Sequence, residues 1–130
     1  MKQTTLNWLR GAEYDFQTAQ SLYQSHRYIY VIFMCHLAVE KLLKAIVAED
    51  ATSPPPRTHN LYRLLELSHI DILEAHKDIV AKLNTMSVAT RYPEDIAALS
   101  GEVTSQVARE YLAQTEGLLQ WLKQDNRLQT

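Results

Sequence analysis

The stretch YIYVIFMCHLAVEKLLKAIVAE, from Tyr28 to Glu49, decides the fold. It is apolar almost all the way round, and its length allows about six helical turns. Ile29, Phe33, His36, Glu40, Leu43 and Val47 follow a four-three alternation, which sets them on one side of an α-helix. Four of these six are ordinary core residues, whereas His36 and Glu40 sit one turn apart in the middle of the stripe. Burying such groups is costly unless each finds a hydrogen-bonding partner. Either another helix supplies that partner or the pair lines a cleft.

Outward from this helix, the pattern predicts a bundle. A first helix from about Thr5 to Ser25 carries the seam Leu9, Ala12, Phe16, Ala19 and Tyr23, and His26-Arg27 turns it back as an αα-hairpin. Asp50 to Arg57, DATSPPPR, cannot continue a helix, because each proline removes a donor and disfavours helix in the residue before it. Thr58 or His59 then caps a short helix, Asn60 to about Ser68, with Leu61, Leu64 and Leu65 inward. Asp71 and Glu74 have capping-box spacing for a helix presenting Ile72, His76, Ile79 and Leu83. Periodicity fails from Val88 to Gly101, which reads as a long ordered loop, a feature more often functional than average. A final helix spans about Glu102 to Lys123, and residues 124–130 read as a frayed tail. The expected fold is all-α, one domain over residues 1–130: an up-and-down bundle of four main helices with a broken third helix.

The totals narrow the function classes. A chain of 130 residues with 46% apolar residues, three Gly and four Pro suits a single helical domain. A formal charge of −2 gives no case for strong, nonspecific attraction to nucleic acid or anionic lipid, and neither DNA nor a membrane is expected as a partner. The single cysteine, Cys35, excludes an intrachain disulfide and reads as a small buried hydrophobe in a reducing cytosol. Glu40, Lys41 and Lys44 interrupt the longest apolar run before it reaches a membrane-spanning length. With no signal-peptide core at the amino terminus, the expectation is a soluble cytoplasmic protein.

Trp8, Ala12, Asp15, Ala19, Leu22 and Tyr28, followed by His36-Leu-Ala-Val-Glu40-Lys-Leu-Leu-Lys44-Ala45, resemble the prokaryotic HEPN domain. The likeness continues through His59-Asn60-Leu61 and Thr90-Arg91-Tyr92-Pro93, in order over nearly the whole chain. The resemblance implies a helical bundle, frequent homodimerisation and involvement with nucleotides or RNA. Small stand-alone members are often encoded beside a minimal nucleotidyltransferase as a toxin–antitoxin-like pair. Ribonuclease members of the broader superfamily carry an Arg, about four to six residues, then a His, usually with a polar residue after the Arg. Here only Arg63 and His69 have that spacing. Leu64 follows the Arg, and on a continuous helix the two side chains point roughly 120° apart.

These residues leave alternatives open. His36 and Glu40 are either the floor of a nucleotide cleft or a buried polar bridge, with Glu40 pairing to Lys44 one turn on or to Arg91. Lys41 and Lys44 either meet phosphate or are solvated or snorkelling. His59 is either a site residue at a helix start, where free N–H groups favour anions, or a cap. Arg91 has a fork suited to phosphate, with Tyr92 beside it; otherwise it pins its loop to Asp15 or Glu40. Metal binding is not expected, since His36 and Glu40 supply only two ligands, and no cofactor is expected. Three functions follow. The first is a nucleotide- or RNA-associated module acting with a nucleotidyltransferase partner. The second is a metal-independent ribonuclease toxin using Arg63 and His69, or Arg91 and His59 brought together in space. The third is a purely structural dimerisation module. A homodimer is expected because one bundle would leave part of the apolar second helix uncovered.

Overall fold

In the computed structural model, which describes residues 1–129, α1 (Gln3–Gln24) and α2 (Tyr28–Asp50) form an antiparallel hairpin. The turn between them is a Schellman motif: the His26 amide donates to the Tyr23 carbonyl and the Arg27 amide to the Leu22 carbonyl. Its left-handed position, usually glycine, is held by His26 at φ 63°. The same motif ends α3 (Leu61–Ser68), with His69 at φ 56° and Ile70 donating back to Leu65. The remaining helices are α4 (Glu74–Ala89), α5 (Pro93–Leu99) and α6 (Ser105–Leu122).

Helix α2 is the axis of an all-helical bundle. It packs against α1, α3, α4 and α6, and fourteen of its 23 residues are buried. Ile32, Leu42, Leu43 and Ile46 meet Leu61, Leu64, Ile79, Leu83, Leu118 and Leu122 in one core. Cys35 is fully buried among them, and burial pushes its thiol up to about 12. One chain therefore covers most of α2 by itself, and apolar residues left partly or largely open, Ile29, Tyr30, Phe33 and Met34, lie in its first two turns.

Four local expectations need correction. Neither Thr58 nor His59 caps α3; Asn60 does, its Oδ1 accepting from the Tyr62 and Arg63 amides at 3.0 and 3.4 Å. Asp71 and Glu74 form no capping box. Residues 70–73 stay non-helical, with Ile70 and Ile72 packed on the core, and α4 starts only at Glu74. The long loop over Val88–Gly101 is mostly helix: α4 continues to Ala89, and α5 begins with Pro93 at its start and Glu94 and Asp95 in its first turn. Helix α5 buries no residue, so it shows no apolar period in the sequence. Nor is the tail frayed over its described part. Asn126–Leu128 form a 3₁₀ turn with Leu128 buried. Arg127 ties the tail to Asp125 at 2.8 Å, the Ser68 carbonyl at 2.8 Å and Asp50 at 3.2 Å. Thr130 lies outside the described residues.

Candidate functional site

Glu40, buried mid-way along α2, is the centre of the polar cluster. Its Oε2 accepts from the Lys44 ammonium at 3.0 Å, the next turn of the same helix, and its Oε1 accepts from Nδ1–H of His59 at 2.9 Å. Ammonium and imidazole thus share one buried carboxylate, as a charged group in a low-dielectric interior requires. The Lys44 side chain is only 6% exposed, and its Nζ lies 5.3 Å from the centre of the Trp8 ring. The His59 side chain, by contrast, is 58% exposed.

His36 completes the arrangement from below. Its Nε2 lies 2.9 Å from the His59 carbonyl oxygen, which can only accept, so Nε2 carries the proton. Its Nδ1 is then an acceptor without a partner, 3.8 Å from Glu40 Oε1. Burial holds this imidazole below the ordinary histidine range, against the opposite pull of Glu40, and the ring is neutral at pH 7. The backbone of His59 is therefore fixed by His36 and its ring by Glu40. The two polar interruptions of the α2 stripe together anchor one surface residue.

Arg91 does not bond to Glu40 or Asp15, the alternatives its sequence position offered. Its Nε donates to the Ser87 carbonyl at 2.8 Å and its guanidinium lies 4.8 Å from the centre of the Phe33 ring, one turn before His36. It lies close enough to His36 to oppose a positive charge there. Among the described residues it pairs with no carboxylate, which leaves its fork available. Tyr92, 51% exposed, precedes α5. Asp15 is instead bridged to Lys41 at 2.8 Å.

The start of α3 offers no free N–H groups to an anion. Leu61 donates to Asn84 Oδ1 at 2.8 Å, Tyr62 and Arg63 donate to Asn60, and Leu64 donates to the Asn60 carbonyl. His59 therefore does not stand beside an anion-binding helix start. The Asn84 partner carried no sequence signal, since a lone Asn in a helix has no fixed spacing to a cap elsewhere. Arg63 and His69 are not brought together: Arg63 bonds Glu66 at 2.7 Å on the surface, while His69 ends α3 and lines a groove with Arg127 and Trp121. His36, Glu40 and Lys44 form the buried layer, and His59, Arg91 and Tyr92 the exposed one.

A short-linked helical bundle wound round one buried helix, with a carboxylate-anchored imidazole on its surface, defines the structural class. The family follows from comparison: the model of the HEPN domain matches residues 5–125, and the chain belongs to that family. No curated protein sequence matches it. Among solved structures, the crystal structure of TT1696 from Thermus thermophilus has a similar fold, with a TM-score of 0.78 at 21% identity over 94% of this chain and 98% of that one. No described helix is long and apolar enough to cross a membrane.

Proposed function

We propose that this HEPN domain is a nucleotide- or RNA-associated binding module. Its partner in this reading is a minimal nucleotidyltransferase encoded nearby, in a toxin–antitoxin-like pair, with homodimerisation as the assembly the family favours. The observation that supports the reading is the two-layer cluster. A buried Glu40–Lys44 pair fixes the exposed His59 ring, and the unpaired Arg91 fork stands within electrostatic range of the same cluster. An imidazole edge and a guanidinium fork suit a base or ribose and a phosphate, respectively.

The test is thermal unfolding with ATP, other nucleotides, or the purified partner. A ligand at about a hundred times its Kd adds about 2.7 kcal/mol, a rise of several degrees in Tm. Arg91→Ala and His59→Ala each abolish the shift if the site is correct. No shift with any nucleotide or with the partner ends the proposal.

One observation favours a second reading, a metal-independent ribonuclease toxin. Glu40 holds His59 by Nδ1, which leaves Nε2 as the only ring nitrogen available for proton transfer, with Arg91 as the charge-stabilising group. Growth arrest on overexpression that disappears in Arg91→Ala and His59→Ala supports it. Normal growth with intact RNA dismisses it.

A further inference from the structure

Helices α1 and α6 both lie along α2, and the hydrogen bonds and ion pairs between them fall at their ends. Near the hairpin turn the Tyr23 hydroxyl accepts from Arg109 Nε–H at 3.1 Å and bonds Ser105 at 3.0 Å. At the opposite end Lys123 Nζ lies 3.8 Å from Glu13. The two helices are therefore antiparallel. Between these ties runs an open trough, made of depressions of about 370 Å³ and about 510 Å³ that share Gln17 and Gln20. From Ala12 to Gln24 it extends about 18 Å, or roughly three helical turns. None of His36, Glu40, His59 and Arg91 lines it.

The trough has an apolar floor and polar rims. Phe16 and Leu112 are half-buried in the floor and Leu119 is buried. On one rim Gln17, Gln20 and Gln24 recur three and four residues apart, along a single side of α1; Gln120 stands across from them on α6. The glutamine amides that donate to other described residues belong to Gln3, Gln106 and Gln129, so these four keep a donor and an acceptor turned to solvent. Along α6, Leu112, Glu116, Leu119 and Lys123 repeat at four, three and four residues, which puts Glu116 between the two leucines of the floor. Lys123 is engaged by Glu13, and Glu116 pairs with no cation among the described residues.

Shape and charge choose the occupant. A small molecule would stay half in water, because this depression is open along its length and ligand pockets enclose most of their guest. A second copy about a twofold axis would set trough against trough, concave on concave, and would bring the acids of one copy towards those of the other. We infer that the trough receives an amphipathic helix of another protein, about three turns long. Its apolar stripe lies on Phe16, Leu112 and Leu119, its flanking amides meet the glutamines, and a Lys or Arg meets Glu116. Recognition of this kind reads the stripe as anchors at i, i+3, i+4 and i+7. This docking site is separate from the nucleotide reading and does not depend on it.

Fluorescence anisotropy on the full chain, with three labelled, end-capped peptides of about fourteen residues, tests it. One carries leucines at the anchor spacing flanked by Gln and Lys, the second has Glu in place of Lys, and the third has proline at its centre. The Lys peptide should bind at least about fivefold more tightly than the Glu peptide, the difference one or two exposed charge pairs produce when their sign is reversed. The proline peptide should bind at least about tenfold more weakly than the Lys peptide, since its helix is broken. Glu116→Lys, at an exposed position, should invert the preference between the two charged peptides while circular dichroism and Tm stay at wild-type values. Gln120→Lys, exposed on the same rim, should move the preference the same way and serves if Glu116→Lys does not fold. No binding of either helical peptide at millimolar concentration overturns the docking site. Equal affinity for the proline peptide overturns it too, as does a preference that neither rim variant moves. Light scattering that shows a wild-type dimer altered by Glu116→Lys would make the trough a self-interface instead and also overturn it.

Discussion

The Glu40–Lys44 pair gives the sharpest test of how the bundle tolerates polarity in its axis. Both side chains are about 5% exposed, and each holds the other's charge at 3.0 Å. Replacing Lys44 by Met keeps the aliphatic stem against Trp8 but strands a buried carboxylate with only the His59 bond left. Breaking a buried pair on one side typically costs about 3–5 kcal/mol. For a domain of this length that is a fall in Tm of roughly 10–25 °C. Glu40→Leu strands the ammonium instead and should cost a similar amount. The double variant removes both charges, and its cost should be smaller than that of Lys44→Met alone, because no uncompensated ion remains. Urea titrations of the four proteins give a double-mutant cycle whose coupling energy should reach about 2 kcal/mol. A Lys44→Met cost below about 1 kcal/mol, or strict additivity in the double variant, would refute the claim that these groups are dry and mutually dependent.

Three further outcomes follow from the same geometry. His36 has a folded-state affinity for protons below its unfolded one, so the unfolded chain binds more protons as pH falls through the ordinary histidine range. Stability should therefore decline from about pH 7 towards pH 5, and Tm measured across that window should lose this slope in His36→Leu. Asn60→Ala removes the acceptor for two amides at the start of α3 and should cost about 1 kcal/mol by chemical denaturation, with secondary structure otherwise retained. Arg127→Ala releases the bonds to Asp125, Asp50 and the Ser68 carbonyl. It should cost about 1 kcal/mol and, more tellingly, speed carboxypeptidase trimming of the last residues.

The helices that bury a face were legible in the sequence because burial imposes a period. Residues 3–24, 28–50 and 105–122 are helical within a few positions of their expected limits. Helix α5 was invisible to that test because none of its residues is fully buried and only Leu99 packs against the core, although Pro93 followed by Glu94 and Asp95 was a helix-start signal in its own right. The carboxy-terminal tail was misjudged because its order comes from one arginine reaching three partners, two of them distant in sequence, a relation no local window contains. At the site, the alternatives for Glu40 included Lys44, which the structure shows. The His59 ring as its second partner required knowing how the proline loop folds back. Arg91 was expected either to bind a ligand or to pin its loop to an acid. It is pinned to no acid, because the surface it meets is the Phe33 ring and the preceding helix supplies the carbonyl.

The encirclement of α2 also bears on how the chain comes off the ribosome. The first hairpin emerges with one flank already covered, but the side that receives Leu118 and Leu122 stays bare until α6 has been synthesised. During that interval the nascent protein presents an oily strip to its surroundings. Premature stops within α6 should accordingly yield aggregates or proteolytic fragments rather than a smaller soluble bundle.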